Sequence, residues 1–212
     1  MAYVTPSRAR LWSRVFYLCV FAGCAWPGVL LGWRTYEGDL GVNPVETLLH
    51  STGRDALAIL LVSLAVTPIR RLTGWNRVQQ VRRMVGLWSF FYGLAHFAIY
   101  AVFNHLGELA AIWADVSERP FIFSGMAALL MLLALALTST TGMMRRLGRN
   151  WQRLHRLVYA AAVAGVVHFA WGQKADIREP LIWGGILTAL LAIRAVFAWR
   201  RRRPAGHRKS LI

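Results

Sequence analysis

The sequence predicts an all-α integral membrane protein whose six transmembrane helices form one bundle, with both termini in the cytoplasm. Composition is the first observation. Of the 212 residues, 57% are hydrophobic and 16% are charged, whereas a soluble domain carries roughly 25% charged residues. Such a chain has too little polar surface to cover a globule in water. The second observation is that its apolar residues fall into six runs near the length that spans a hydrocarbon core of about 30 Å.

The six apolar runs define the predicted helices in chain order. Their approximate bounds are 15–33, 50–69, 84–103, 121–138, 153–171 and 181–199. The second and fifth runs are short as purely apolar stretches, so we expect these helices to include flanking residues from 48–55 and 151–156. No linker rich in Gly, Pro or Ser is long enough to separate two domains. Residues 1–212 are therefore predicted to form a single domain.

The charged residues predict the orientation. The chain has 25 Lys and Arg against 9 Asp and Glu, a balance that would favour nucleic-acid binding if one soluble face carried it. Instead most of the basic residues form four groups in alternate segments between the helices, at 8–14, 70–83, 145–156 and 200–209. Because Lys and Arg concentrate in cytoplasmic loops, these segments are predicted to be cytoplasmic, next to an anionic lipid surface. All nine acids fall in the opposite set: Glu37, Asp39, Glu46, Asp55, Glu108, Asp115, Glu118, Asp176 and Glu179.

The amino-terminal segment allows two interpretations. A basic stretch at 8–14 before an apolar run resembles a signal peptide, and Phe21-Ala22-Gly23-Cys24 faintly resembles a lipoprotein cleavage box. The apolar run continues past Cys24 to Trp33, as a membrane span requires. This continuation favours a helix that is retained.

Two histidines lie inside predicted spans, His96 in the third helix and His168 in the fifth. An ionisable side chain within lipid is costly unless it has a partner, so it indicates a functional site. His96 lies 13 residues beyond Arg83 and His168 lies 12 beyond Arg156, which puts both about 18–20 Å from the same surface. Two imidazoles at equal depth on helices that run in the same direction can bind a haem iron from both faces.

A second haem, nearer the cytoplasm, is predicted at His155. This residue precedes His168 by 13 positions, a rise of about 20 Å and a rotation of about 140° on an ideal helix, so a shared face would need tilt or a bulge. The third helix offers Arg82 at that depth, so His155 would bind alone or with an unusual sixth ligand. The arginines of this region can pair with haem propionates or simply follow the positive-inside rule: Arg82, Arg83, Arg153 and Arg156.

Motifs for other chemistries are absent from the sequence. We find no Gly-rich phosphate loop, no Walker sequence, no HExxH and no nucleophile elbow. A proton-coupled transporter is the main rival hypothesis, and it would be expected to show inverted repeats or broken helices near the midplane. Only Pro27 in the first helix suggests such a break. A third alternative, a non-catalytic assembly or insertion factor, would need none of the intramembrane histidines.

Several separated motifs recur in a fixed order between about Gly41 and Trp171. They are Arg82-Arg83-Met84-Val85-Gly86-Leu87-Trp88 leading to His96, Leu147-Gly148, Trp151-Gln152-Arg153-Leu154-His155-Arg156-Leu157-Val158-Tyr159, His168 before Trp171, His50-Ser51-Thr52-Gly53-Arg54, Arg119-Pro120, and Ala136-Leu137-Thr138-Ser139-Thr140. In these motifs the chain resembles the haem-binding membrane subunit of the bacterial periplasmic methionine sulfoxide reductase system. That subunit belongs to the ferric-reductase-like transmembrane domain family.

The resemblance implies a b-type cytochrome of the bacterial inner membrane that holds one or two haem b groups. It implies electrons taken from the quinone pool or a cytosolic flavin reductase and delivered to a periplasmic molybdenum-dependent protein-methionine-sulfoxide reductase, in support of the repair of oxidised periplasmic proteins. The family's iron ligands carry over to His96, His155 and His168, with Arg82 near the inner site. FMN is also attributed to the family, although no motif here places it.

Two further expectations follow from the resemblance. The final reduction would take place in the partner subunit, so no catalytic site for it is expected in this chain. Within the same class, the alternative is a transmembrane ferric reductase or another quinol-linked cytochrome b.

Overall fold

The computed structural model describes residues 6–173 and 177–202, with side chains described between residues 10 and 200. Within these ranges the chain forms nine helices and no strand. The helices are α1 (Pro6–Tyr36), α2 (Pro44–Thr73), α3 (Val78–His105), α4 (Leu109–Glu118), α5 (Pro120–Leu137), α6 (Thr141–Leu147), α7 (Arg149–Leu154), α8 (Leu157–Gly172) and α9 (Arg178–Arg202). Six segments are long and apolar enough to cross a membrane, namely α1, α2, α3, α5, α7 with α8, and α9. The predicted all-α class with six membrane-spanning helices is confirmed.

The helix bounds differ from the sequence prediction at two places that matter for the site. α2 begins six residues earlier than predicted, because the side chain of Asn43 accepts a hydrogen bond from the Glu46 amide and Pro44 occupies the first turn. The fifth predicted helix, 153–171, is not continuous. Its first two residues are the end of α7, and a turn at 155–156 separates α7 from α8.

The core of the bundle consists of two helical pairs, α2 with α3 and α5 with α8. Apolar side chains from both pairs form the largest core cluster, with Leu60 and Leu64 on α2, Leu132 on α5, and Ala161 and Ala162 on α8. The two alanines are fully buried, so the backbones can approach closely, as small residues permit in membrane bundles. α1 packs against α3 and α2, while α9 packs against α8 and α2, at the periphery.

Pro27 interrupts α1, and a side chain from α3 repairs the interruption. The Tyr92 hydroxyl donates to the carbonyl of Cys24 at 2.9 Å and accepts from the amide of Gly28 at 2.7 Å. It thereby bridges a donor and an acceptor four residues apart, as side chains do at helix kinks. Tyr92 and Trp88 belong to the apolar cluster between α1 and α3.

The described acidic residues gather toward one end of the bundle, and most of the basic residues lie toward the other. We call the acidic end the one formed by residues 37–43, α4 and the start of α9, and the basic end the one formed by residues 74–77, α6 and α7. All eight acids in the described ranges lie toward the acidic end; Asp55, in the fourth turn of α2, is the deepest. Five residues of the charge and histidine pattern lie outside the described residues: Asp176, Arg203, His207, Arg208 and Lys209.

Candidate functional site

A cavity of about 350 Å³ lies inside the bundle among α2, α3, α5 and α8. Most of its lining is apolar, and His96 and His168 face each other across it. Toward the acidic end it is bordered by polar side chains, including Asn104, Asp115 and Arg119. A concave, mainly apolar space with a few convergent polar groups is the usual form of a cofactor site.

The spacing of His96 and His168 suits a metal placed between them. Their ring centres lie 6.0 Å apart, with the ring planes at 81° to each other. A metal bonds an imidazole nitrogen at about 2 Å, and the ring centre lies roughly 1 Å behind that nitrogen, so two opposed ligands have ring centres about 6 Å apart. The structure therefore brings together the two histidines that the sequence placed at equal depth.

A backbone carbonyl orients each imidazole. Nδ1 of His96 lies 3.0 Å from the carbonyl oxygen of Leu49, and Nδ1 of His168 lies 2.7 Å from that of Phe121. A carbonyl oxygen can only accept, so in each neutral ring Nδ1 carries the proton and Nε2 keeps its lone pair. Metal-binding histidines are typically supported in this way, because the second hydrogen bond fixes both tautomer and ring orientation.

Two glycines leave the space that these rings occupy. A Cβ atom on Gly53 of α2 would lie 3.0 Å from Nδ1 of His96, and a Cβ atom on Gly125 of α5 would lie 2.6 Å from Nδ1 of His168. Each glycine is one helical turn beyond the residue whose carbonyl accepts from the ring, so its missing side chain opens the path to that carbonyl. The site thus depends on Gly at 53 and 125 as well as on the histidines.

The two halves of the cavity are an internal repeat with an offset of 72 residues. In each half the histidine follows its carbonyl partner by 47 residues and its glycine by 43. Most other lining residues pair at the same offset: Ala56 with Ala128, Leu57 with Leu129, Leu60 with Leu132, Ser89 with Ala161, Gly93 with Gly165, and Phe97 with Phe169. Since α2 runs parallel to α5 and α3 to α8, an approximate two-fold axis parallel to the helices relates the halves.

The sequence carried a signal for this repeat that the prediction from histidine depth did not use. The pattern Gly-x-x-His-Phe-Ala occurs at 93–98 and again at 165–170. The pattern Gly-x-x-Ala-Leu-x-x-Leu occurs at 53–60 and again at 125–132. Both are separated by 72 residues, and together they contain four of the glycines that line the cavity, at 53, 93, 125 and 165.

The repeat breaks down at the acidic end of the cavity, where one half is polar and the other apolar. The polar residues are His50, Arg54 and Tyr100, and their counterparts are Ile122, Met126 and Gly172. The polar side groups of this end therefore come mainly from α2 and α3, although the histidine site itself is nearly symmetric.

Asp115 of α4 anchors a polar cluster at this end. Its carboxylate accepts from the Tyr100 hydroxyl at 2.6 Å and from Arg119 Nε at 2.7 Å, and lies 3.2 Å from His105 Nε2. Burial raises the pKa of Asp115, but the Tyr100 hydrogen bond, the charge of Arg119 and the His105 contact outweigh it and hold the pKa below its usual range. Asp115 is therefore an ionised carboxylate at neutral pH, tying α4 to the end of α3.

His155 and Arg82 do not line this cavity. His155 lies in the turn between α7 and α8, where its ring stacks on Trp151 with centres 3.9 Å apart and Nε2 lies 3.5 Å from the Ser139 hydroxyl. The 72-residue offset pairs His155 with Arg83 rather than Arg82, and the Arg83 guanidinium donates to the Ser139 carbonyl at 3.3 Å. An inner haem bound by His155 stays a prediction.

Fold and site together define a class: a multi-pass helical membrane protein with two opposed intramembrane histidines across an internal cavity. Residues 52–166 match the family described as the ferric reductase like transmembrane component. A protein of Rhodospirillum rubrum is 51% identical over 90% of this chain and 92% of its own length. A protein of Xanthomonas euvesicatoria pv. vesicatoria is 43% identical over 90% of this chain and 90% of its own length. A protein of Bordetella pertussis is 43% identical over 94% of this chain and 98% of its own length.

All three relatives are named protein-methionine-sulfoxide reductase heme-binding subunit MsrQ. The chain therefore belongs to the ferric-reductase-like transmembrane family and, within it, to the group of MsrQ heme-binding subunits. The family resemblance noted in the sequence motifs is confirmed.

Proposed function

We propose that the chain is a b-type cytochrome that relays electrons across the bacterial inner membrane to a periplasmic protein-methionine-sulfoxide reductase. The observation that carries this proposal is the opposed pair of His96 and His168, each with Nδ1–H held by a backbone carbonyl and Nε2 free to bind iron. The relatives' name, heme-binding subunit, supports haem as the group between them. When bound, haem supplies one-electron redox chemistry, and its axial ligands and burial set the potential.

The surrounding residues would support a relay rather than oxygen chemistry. With His96 and His168 both bound, the iron would have no open position for dioxygen. The Leu49 and Phe121 carbonyls make the two imidazoles stronger ligands through the Nδ1–H hydrogen bonds. The apolar lining excludes water and keeps the dielectric constant around the site low, which tunes the potential.

The direction of electron flow rests on the charge pattern. We infer that residues 1–212 form one ferric-reductase-like domain with both termini and the basic end in the cytoplasm, as the positive-inside rule favours. The acidic end would then meet the periplasmic, molybdenum-dependent catalytic subunit, where the sulfoxide of oxidised proteins is reduced. The quinone pool or a cytosolic flavin reductase would supply the electrons. FMN, and an inner haem at His155 with Arg82 nearby, remain predictions from the family resemblance.

Visible spectroscopy of the purified chain in liposomes tests the proposal directly. We expect a reducible b-type absorption, and reduction of that haem by an added quinol analogue or by a flavin reductase supplied on the basic side. Reoxidation should require the catalytic subunit on the acidic side. A colourless, correctly folded preparation that fails to take up added haem would contradict the proposal.

The internal repeat predicts that haem binds in two orientations. Haem b carries its vinyl and methyl groups asymmetrically, whereas away from the acidic end of the cavity the lining pairs related by the two-fold axis are identical, apart from Ser89 opposite Ala161. A preference of about 1 kcal/mol leaves roughly a 5:1 ratio of the two orientations. We expect two sets of hyperfine-shifted methyl signals in the proton NMR spectrum of the ferric protein. Reconstitution with a symmetric dimethyl-substituted haem should give one set; a single set with native haem would refute the prediction.

A further inference from the structure

Two arginines on different helices meet near the basic end, between α2 and α9. The Arg71 guanidinium lies 5.1 Å from the ring centre of Phe197, and the Arg194 guanidinium lies 5.3 Å from the ring centre of Tyr159. Phe197 follows Arg194 by one turn of α9, so both contacts lie on the same face of that helix. Arg71, and Arg82 of α3, are close enough to Arg194 to repel it electrostatically.

Two hydrogen bonds hold Arg194 inside the bundle, and one of them uses a backbone carbonyl of α2 that Pro68 leaves without its helical partner. Pro68 has no N–H to donate to the Leu64 carbonyl four residues earlier, and Arg194 donates to that carbonyl instead. A second hydrogen bond joins Arg194 to the Tyr159 hydroxyl at 2.7 Å. Arg194 lies eight residues before the last residue of α9, so its backbone is about 12 Å from the end of that helix.

No carboxylate balances this positive charge within the described residues. None of the ion pairs there involves Arg71, Arg82 or Arg194, and the described acids lie toward the acidic end. Three buried side-chain polar atoms in the described part of the chain have no hydrogen-bond partner, and all three belong to this region: Thr67 Oγ1, Arg71 Nε and Arg194 Nε. Thr67 is one turn before Arg71 on the same face of α2. Buried cations with unused donors are costly unless an anion joins them.

We propose that Arg71 and Arg194, with the Thr67 hydroxyl and the charge of Arg82, bind the phosphate of an anionic phospholipid. A phosphate matches the donor geometry of guanidinium groups and supplies the missing negative charge. The 30 residues of α2 span about 45 Å, some 15 Å more than a hydrocarbon core, so Arg71 near its end reaches the headgroup level. α9 presents an exposed apolar surface beside the site, including Val196, along which acyl chains can pack. The site shares no residue with the cavity between His96 and His168.

Lipid titration of the full chain in a neutral detergent tests the site. We expect cardiolipin or phosphatidylglycerol to raise the thermal unfolding midpoint and to remain bound in native mass spectrometry, and phosphatidylcholine to do neither. Arg71→Gln should weaken the apparent affinity for the anionic lipid about fivefold, the effect of one membrane-facing cation.

Thr67→Val separates a lipid site from a packing defect. If the hydroxyl binds phosphate, this variant should keep its midpoint in neutral detergent but respond less to cardiolipin than the unmodified chain. A response equal to that of the unmodified chain in both Thr67→Val and Arg71→Gln would overturn the proposal.

Arg77→Gln is the matched control, because it removes the same charge from an exposed position at the same end. It should leave the lipid response unchanged. A fivefold loss in Arg77→Gln as well would mean that diffuse surface charge, not a site, attracts the lipid. Inorganic phosphate at matched ionic strength should give no protection; protection equal to that by cardiolipin would overturn the lipid assignment in favour of a soluble phosphate ligand.

Discussion

His96→Ala and His168→Ala are each expected to abolish the same low-spin haem absorption. The ring centres lie 6.0 Å apart on opposite sides of one cavity, so both rings would hold the same haem. With one ring removed, the iron would become five-coordinate and high-spin, or the haem would dissociate during purification. Because changes to residues that only support a metal ligand already cost about 10–100-fold in affinity, we expect a larger loss here. Visible spectra and haem content per chain measure it.

Two further histidine variants make this result specific. His50→Ala removes an exposed histidine beside the acidic end of the cavity and should retain the signal. His155→Ala tests the inner haem separately, since His155 does not line the cavity. This variant should leave unchanged the absorption of the haem bound by His96 and His168. Retention of the low-spin signal in either His96→Ala or His168→Ala would refute the pairing.

The sequence was sufficient to predict the six spans and the matching positions of the two histidines along their helices. Both depend on quantities that a sequence states directly, the length of apolar runs and the number of residues between a basic helix end and a histidine. It did not predict α4, α6 or α7, because helices of 10, 7 and 6 residues do not have the length or apolar character of a span. The break at His155 was not predicted either, because the polar run 149–156 can continue a helix or end one.

The support of the two imidazoles could not be predicted from the apolar pattern. Its acceptors are the carbonyls of Leu49 and Phe121, and every residue has a carbonyl, so no side-chain type marks them. What marks them indirectly is the glycine one turn later, at 53 and 125, and the recurrence of the whole arrangement after 72 residues. Comparing the chain with itself would therefore have identified the supporting residues, whereas counting residues along single helices identified only the two histidines.

Gly125→Ala is expected to remove most of the bound haem, and Gly53→Ala to remove less. An added Cβ at 125 would lie 2.6 Å from Nδ1 and 2.8 Å from Cε1 of His168, whereas at 53 the nearest approach to His96 is 3.0 Å. The His168 ring cannot withdraw without losing its 2.7 Å hydrogen bond to Phe121, which sets its tautomer. We expect a loss of about 10–100-fold in haem affinity for Gly125→Ala, the range seen when the support of a metal ligand is removed. Haem titration of the apoprotein measures both variants.

Gly185→Ala on α9 separates this effect from the general cost of altering a membrane helix. A Cβ there would meet nothing within 4 Å, and alanine is favoured over glycine in a helix by about 0.5–1 kcal/mol, so haem affinity should be unchanged and stability equal or higher. The expected order of haem loss is thus 125, then 53, with none at 185, and it follows from the Cβ distances alone. Equal losses at 125 and 185 would show that the carbonyl-supported ring geometry does not control haem binding, even if His168 itself proved essential.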